Sequence, residues 1–172
     1  PYITHDIDVL VENLRWAKEL FEKEGFMLLP NLDKHKLSLV QKGFLEIELH
    51  EDVCWGSLRF VDKEVLWSNI REKEVAGVKT CVPGVEGDIL TYLAHMNFQQ
   101  YQILLGDLLY VYTLLSKADW KLIERQATKH QWLLPFRDTV AILNGLHSEL
   151  YGEPGPIHDC LPLCAKVHVN FP

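Results

Sequence analysis

Asp6-Ile7-Asp8-Val9-Leu10-Val11 decides how the rest of the chain is read: a run of strand character with two carboxylates two positions apart at its start. Side chains alternate across a strand with a period of two, so Asp6 and Asp8 project from one face, about 6–7 Å apart along the backbone. Aspartate is depleted in strands and neighbouring like charges repel, so the pair calls for compensation. A bound divalent cation is the simplest compensation. A strand edge protruding into solvent, or a turn ahead of the strand, accommodates the same residues without one.

Working outward, Glu12 to Glu24 carries Leu14, Ala17, Leu20 and Phe21 at helical spacing, with Glu/Lys pairs on the other side and Gly25 as the stop. Phe26 to Leu29 then reads as a short strand or its stub, ended by Pro30, and Asn31 to Lys34 as a turn. Lys36 to Val40 and Phe44 to His50 flank Gln41-Lys42-Gly43, as in an antiparallel hairpin. In the second of these, Leu45, Ile47 and Leu49 take one face and Glu46, Glu48 and His50 the other. That polar face is either a solvated sheet surface or, if the strand lies beside Asp6 and Asp8, the source of a further carboxylate.

Asp62 to Lys73, with Val65, Leu66, Trp67 and Ile70, reads as a shorter helix before a linker at Val82-Pro83-Gly84. Helical spacing then predicts helices over roughly Glu86–Phe98, Gln102–Leu115, Trp120–His130 and Leu134–Leu150, with Asp119 as the N-cap of the third. The expected fold class is α+β: a small mixed-sheet core over residues 1–80, a helical domain over 81–152 and a Pro-rich extension over 153–172.

The chain has 172 residues, 48% of them hydrophobic, enough for a real core. With 24 acidic against 17 basic residues, its formal charge of −7 argues against a surface built for polynucleotide backbones or anionic membranes. No apolar run approaches the about 18 residues of a membrane span, and the four cysteines are irregularly spaced, so a soluble, cytoplasmic protein is expected. His158, Cys160, Cys164 and His168 offer a ligand set for zinc, at a spacing that matches no standard finger; an ordinary loop-rich tail is the alternative.

Carboxylates at i and i+2 of one strand, joined by one from a neighbour, suit two-metal phosphoryl or nucleotidyl transfer, in which acidic ligands surround ions about 3.5–4 Å apart. His5-Asp6-Ile7-Asp8-Val9-Leu10-Val11 resembles the strand of the polymerase-β-like nucleotidyltransferase superfamily, and Glu46-Ile47-Glu48-Leu49-His50 the acidic, apolar, His segment of its uncharacterised bacterial and archaeal branch. The likeness continues through Asp88 to His95, Leu104 to Leu108 and Ala118 to Ile123, and covers most of residues 5–152.

The resemblance implies a transferase that moves a nucleoside monophosphate from a nucleoside triphosphate to an acceptor, with Mg²⁺ or Mn²⁺ held by Asp6, Asp8 and Glu48. Glu46 is the alternative third ligand. His50 would stand at the edge of the site, binding phosphate or only packing. His95 and Asp107 would pair with each other or line the cleft. Phe98, Tyr101, Tyr110, Tyr112 and Trp120 offer either a base-stacking face or ordinary core. The acidic charge favours a small-molecule or protein acceptor over long nucleic acid. Such enzymes normally carry a Gly-Ser or Lys-Gly segment upstream, at a helix start that holds the triphosphate, whereas only Pro1 to His5 precede the strand here. Either a natural N-terminal part precedes the chain as given, which the lack of a starting Met favours, or the protein lacks that cradle. The alternative function is a non-catalytic nucleotide- or partner-binding protein on the same scaffold, such as a regulatory component of a toxin–antitoxin-like pair.

Overall fold

The Asp6 run is a strand, and what it pairs with organises the first part of the chain. A computed structural model describes residues 6–30, 35–55, 58–99, 104–115 and 117–155. They divide into two compact units, one ending at Arg59 and the other beginning at Phe60. The boundary expected after residue 80 falls inside the second unit. Strands dominate the first unit and helices the second, so the expected α+β organisation is present.

In the first unit, β1 (Asp6–Leu10), α1 (Leu14–Lys23), β2 (Met27–Leu28), β3 (Lys36–Val40) and β4 (Glu46–His50) follow in order. The four strands form one sheet in the order β1-β4-β3-β2. β1 runs parallel to β4, with Asp8 opposite Glu48, while β3 runs antiparallel to β4, with Ser38 opposite Glu48 and Lys36 opposite His50. Asn13 starts α1 by accepting the Trp16 N–H at 2.9 Å. The helix stops at Gly25, whose φ of 89° suits glycine, while Phe26 N–H donates to the Phe21 carbonyl at 3.1 Å.

One face of the sheet packs on α1. Ala17, Leu39 and Leu49 are fully buried there, with Val9, Leu14, Phe21, Leu37 and Ile47 against them. Burying each leucine contributes about 1.5–3 kcal/mol. Leu20, expected on the buried face of α1, remains 45% exposed: it lies three residues beyond Ala17, at the margin of the stripe that Leu14, Ala17 and Phe21 occupy. Because strand side chains alternate, burying these apolar positions sends Asp6, Asp8, Lys36, Ser38, Glu46, Glu48 and His50 to the opposite face. After the sheet, β5 (Cys54–Trp55) and β6 (Leu58–Arg59) pair antiparallel, and Arg59 Nη2 donates to Asp52 Oδ2 at 2.7 Å.

The second unit corrects one expectation. The predicted Asp62-to-Lys73 helix is only α2 (Lys63–Ser68); Ile70–Val75 is instead β7, paired antiparallel with β8 (Val78–Pro83). The hairpin turns at Ala76 and Gly77, with φ of 51° and 80°. Positive φ at both central positions matches the right-handed twist of the flanking strands. Then come α3 (Val85–Ala94), a π-helical turn (His95–Gln99), α4 (Leu105–Leu115), α5 (Trp120–Lys129) and α6 (Leu133–Tyr151). Asp119 caps α5 as expected, accepting the N–H groups of Lys121 and Leu122 at 3.0 and 3.2 Å.

The core of this unit gathers on Trp132, whose indole N–H donates to the Phe60 carbonyl at 2.8 Å. Ile89, Leu90, Leu93, Ile123, Phe136 and Leu143 are buried with it. No helix among the described residues is long and apolar enough to cross a membrane.

Candidate metal centre

Three of the four strands carry the polar residues on the face of the first unit's sheet that α1 leaves uncovered. β1 contributes Asp8, β4 contributes Glu48 and His50, and β3 contributes Lys36 and Ser38. Two carboxylates directly opposite on neighbouring strands repel one another. Here the protein's own donors offset the repulsion. His50 Nε2 lies 2.8 Å from Asp8 Oδ1 and 3.5 Å from Glu48 Oε2. Lys36 Nζ donates to both oxygens of Glu48, each at 2.7 Å, and Ser38 Oγ donates to Oε1 at 3.3 Å.

Asp8, Glu48 and His50 each offer a ligand atom within 4.8 Å of the other two, a spacing that could hold one metal ion. Asp8 is open to solvent, its side chain 69% exposed, whereas Glu48 is sunk to 13%. Asp6 is on the same face one alternation earlier, opposite Glu46, and both stand outside that close group of three.

The remaining candidates belong to the second unit. His95 is exposed at the start of the π-helical turn, and Asp107 is buried near the start of α4. Asp107 Oδ2 accepts the Leu104 N–H at 3.3 Å. Burial, and after it the Asp107 carboxylate, raises the Tyr92 hydroxyl above its ordinary pKa. Phe98 stacks on Phe60 at 4.5 Å and Trp120 on Phe136 at 5.9 Å, so both pack against core aromatics. Tyr110 lies against Tyr92, and Tyr112 pairs with His147 Nδ1 at 2.5 Å. Tyr101 and the tail residues His158, Cys160, Cys164 and His168 lie outside the described residues.

The family described as "uncharacterised nucleotidyltransferase" matches residues 3–146. The chain belongs to that family. No curated protein matches it. The matched region takes in the whole polar sheet face and ends inside α6, so in this nucleotidyltransferase-family protein it covers nearly all of the first unit and most of the second. Two carboxylates and an imidazole nitrogen suit a divalent cation, because hard oxygen donors dominate and a nitrogen completes them.

Lys36 and Ser38 were not among the residues singled out from the sequence. Their signal was present: Lys36, Ser38 and Val40 alternate with Leu37 and Leu39, and any hairpin that buries the two leucines turns Lys36 and Ser38 toward Glu48 and His50.

Proposed function

We propose that this protein transfers a nucleoside monophosphate from a nucleoside triphosphate to an acceptor hydroxyl, phosphate or protein side chain, using Mg²⁺ or Mn²⁺ held by Asp6, Asp8 and Glu48. The apposition of Asp8 and Glu48 on parallel neighbouring strands carries this reading, supported by the family to which the chain belongs. Kinship with the polymerase-β-like enzymes and a cytoplasmic location are part of the proposal and rest on the sequence.

A bound divalent cation supplies charge neutralisation on the triphosphate and makes an acceptor hydroxyl easier to deprotonate. The chain's own residues do the positioning, which is most of what phosphoryl transfer needs. Lys36 and Ser38 fix both oxygens of Glu48, and His50 fixes Asp8, so neither carboxylate must be ordered when substrate arrives. Asp6 extends the acidic row along β1. The net charge of −7 favours a small or protein acceptor over a long polynucleotide.

The test is pyrophosphate release from each nucleoside triphosphate with Mg²⁺ or Mn²⁺ and a panel of acceptors, compared between the wild type and Asp8→Asn. Divalent-dependent release lost in a folded Asp8→Asn supports the reading; equal release removes Asp8 from it. A second reading has an observation of its own: Lys36 already neutralises Glu48. On that reading the protein binds nucleotide or a partner without turnover, and Glu48→Gln changes nothing.

A further inference from the structure

A nucleotidyltransferase site of three carboxylates would be built wholly from oxygen, but the sheet face here is arranged otherwise. Lys36 engages both oxygens of Glu48. Asp6 stands outside the close group. The atom that does reach between Asp8 and Glu48 is the Nε2 of His50, 2.8 Å from one carboxylate and 3.5 Å from the other. Donor atoms bound to one metal at about 2.0–2.2 Å sit about 3 Å from one another, so these spacings are close to those of a shared coordination sphere.

The register explains the reach. Glu48 is directly opposite Asp8, and His50 is the next residue of β4 on the same face. The imidazole spans the diagonal from β4 to Asp8 on β1. It is also held on its own strand, opposite Lys36 on β3, with its side chain 22% exposed.

We propose that His50 Nε2 is a coordinating ligand, with Asp8 and Glu48, of a single divalent cation, and that this nitrogen makes the site selective for a first-row transition ion such as Mn²⁺ over Mg²⁺. Mg²⁺ demands near-ideal octahedral geometry and oxygen donors, keeping several waters, whereas imidazole nitrogen binds transition ions well. Lys36 acts as a fixed monovalent cation on both oxygens of Glu48, so the carboxylate has charge for one metal ion rather than two. The inference rests on the proposed cation site and revises it, putting His50 in the ligand set in place of Asp6 and narrowing the metal class.

The experiment is Mn²⁺ titration of the full chain by EPR, with Mg²⁺ competition and a pulsed-EPR measurement of nitrogen coupled to the bound ion. His50→Ala, His50→Gln and Asp8→Asn are measured alongside, each checked for a wild-type melting profile. The expected result is one Mn²⁺ per chain, displaced only by Mg²⁺ at about tenfold or greater excess over the Mn²⁺ affinity. Imidazole-nitrogen modulation should be present in the wild type and absent from both His50 variants, with Mn²⁺ affinity lowered about tenfold or more. His50→Gln keeps a polar side chain in place, so a destabilised His50→Ala does not obscure the outcome. Saturable, Asp8-dependent Mn²⁺ binding without nitrogen modulation, with modulation that survives in the His50 variants, or with Mg²⁺ bound equally well, overturns this inference and leaves the proposed function standing. Absence of a saturable, Asp8-dependent site overturns both.

Discussion

On the sheet of the first unit, Lys36 engages Glu48 and His50 lies against both Glu48 and Asp8; in the second unit, Asp62 alone receives Lys129, His130 and Gln126. Lys129 Nζ and Gln126 Nε2 donate to Asp62 Oδ2 at 2.6 and 3.2 Å, and His130 Nε2 stands 3.2 Å from Oδ1. The Asp62 backbone N–H also donates to Gln126 Oε1 at 3.0 Å, which ties the start of α2 to the end of α5. Both clusters combine carboxylate, lysine and histidine, but their balance is opposite. One carboxylate is covered from several sides at Asp62, and its side chain is 16% exposed. On the sheet, carboxylates outnumber the lysine, and Asp8 remains 69% exposed. Settled charge locks two helices together, whereas surplus acid at an open strand leaves room for a cation.

Substitutions that remove one acid from each cluster break this comparison most directly. Asp8→Asn is expected to lower divalent-dependent turnover by about 100-fold or more while changing the melting temperature little, because an exposed ligand contributes little to folding. A large stability loss with turnover retained would make the sheet cluster a lock like the other. Asp62→Ala should do the reverse, costing about 2–3 kcal/mol in urea unfolding through its lost charged hydrogen bonds, with divalent binding unchanged. The sign of its pH dependence is defined. Burial works to raise the Asp62 pKa, but the hydrogen bonds of Lys129 and Gln126 and the charges of Lys129 and His130 outweigh it, so the folded pKa is lowered. That stabilisation is fully present above the ordinary aspartate value of about 3.9 and is lost as pH falls through the lower folded value. Urea midpoints of the wild type should therefore fall through that acid window, and those of Asp62→Asn should fall less.

Much of the sheet was legible because one of its faces is buried. Leu37 and Leu39, and Ile47 and Leu49, mark β3 and β4 by strict alternation, and the same alternation assigns Glu48 and His50 to the opposite face. The parallel pairing of Asp8 with Glu48 was not legible, because register across a long connection depends on packing, not on local pattern. β7 was misread as helix for the complementary reason. All of Ile70 to Val75 is exposed, so no buried face imprints a period on Arg71-Glu72-Lys73-Glu74. Its signal lay in the turn, where Gly77 follows Ala76 between Val75 and Val78. The π-helical turn at His95–Gln99 has no pattern by which its residues announce it.

Lys36→Met sharpens the comparison from the other side. Removing the lysine that faces Glu48 should strengthen Mn²⁺ binding about tenfold, equivalent to about 1.4 kcal/mol, since one fixed positive charge no longer opposes the metal ion. The variant should also unfold slightly more easily, because Glu48 loses its lysine and keeps only the longer Ser38 and His50 contacts. Calorimetric titration measures the first effect, and unchanged or weaker affinity would mean that Lys36 orders Glu48 for the cation rather than competing with it.

The smallest effect is expected at Asp88, and its sign tests whether partners or burial decide a carboxylate's contribution. Asp88 Oδ2 accepts from Arg71 Nη2 and from the Tyr110 hydroxyl, both at 3.3 Å. Burial nevertheless dominates and raises the Asp88 pKa, against the opposing pull of Arg71 and Tyr110. A raised folded value means that this carboxyl contributes fully below the ordinary aspartate pKa and loses that contribution as pH rises through the folded value. At neutral pH the charged form is therefore a small liability. Asp88→Asn keeps an acceptor oxygen without the charge and should stabilise the protein at pH 7 by less than about 1 kcal/mol, an advantage that vanishes near pH 3. Asp62→Asn should destabilise under the same conditions. Opposite signs in paired urea titrations would show that a short lysine bond, backed by Gln126 and the His130 charge, outweighs burial at Asp62, while two 3.3 Å bonds at Asp88 do not. Equal signs would assign the Arg71 and Tyr110 contacts the same structural weight as those of Lys129.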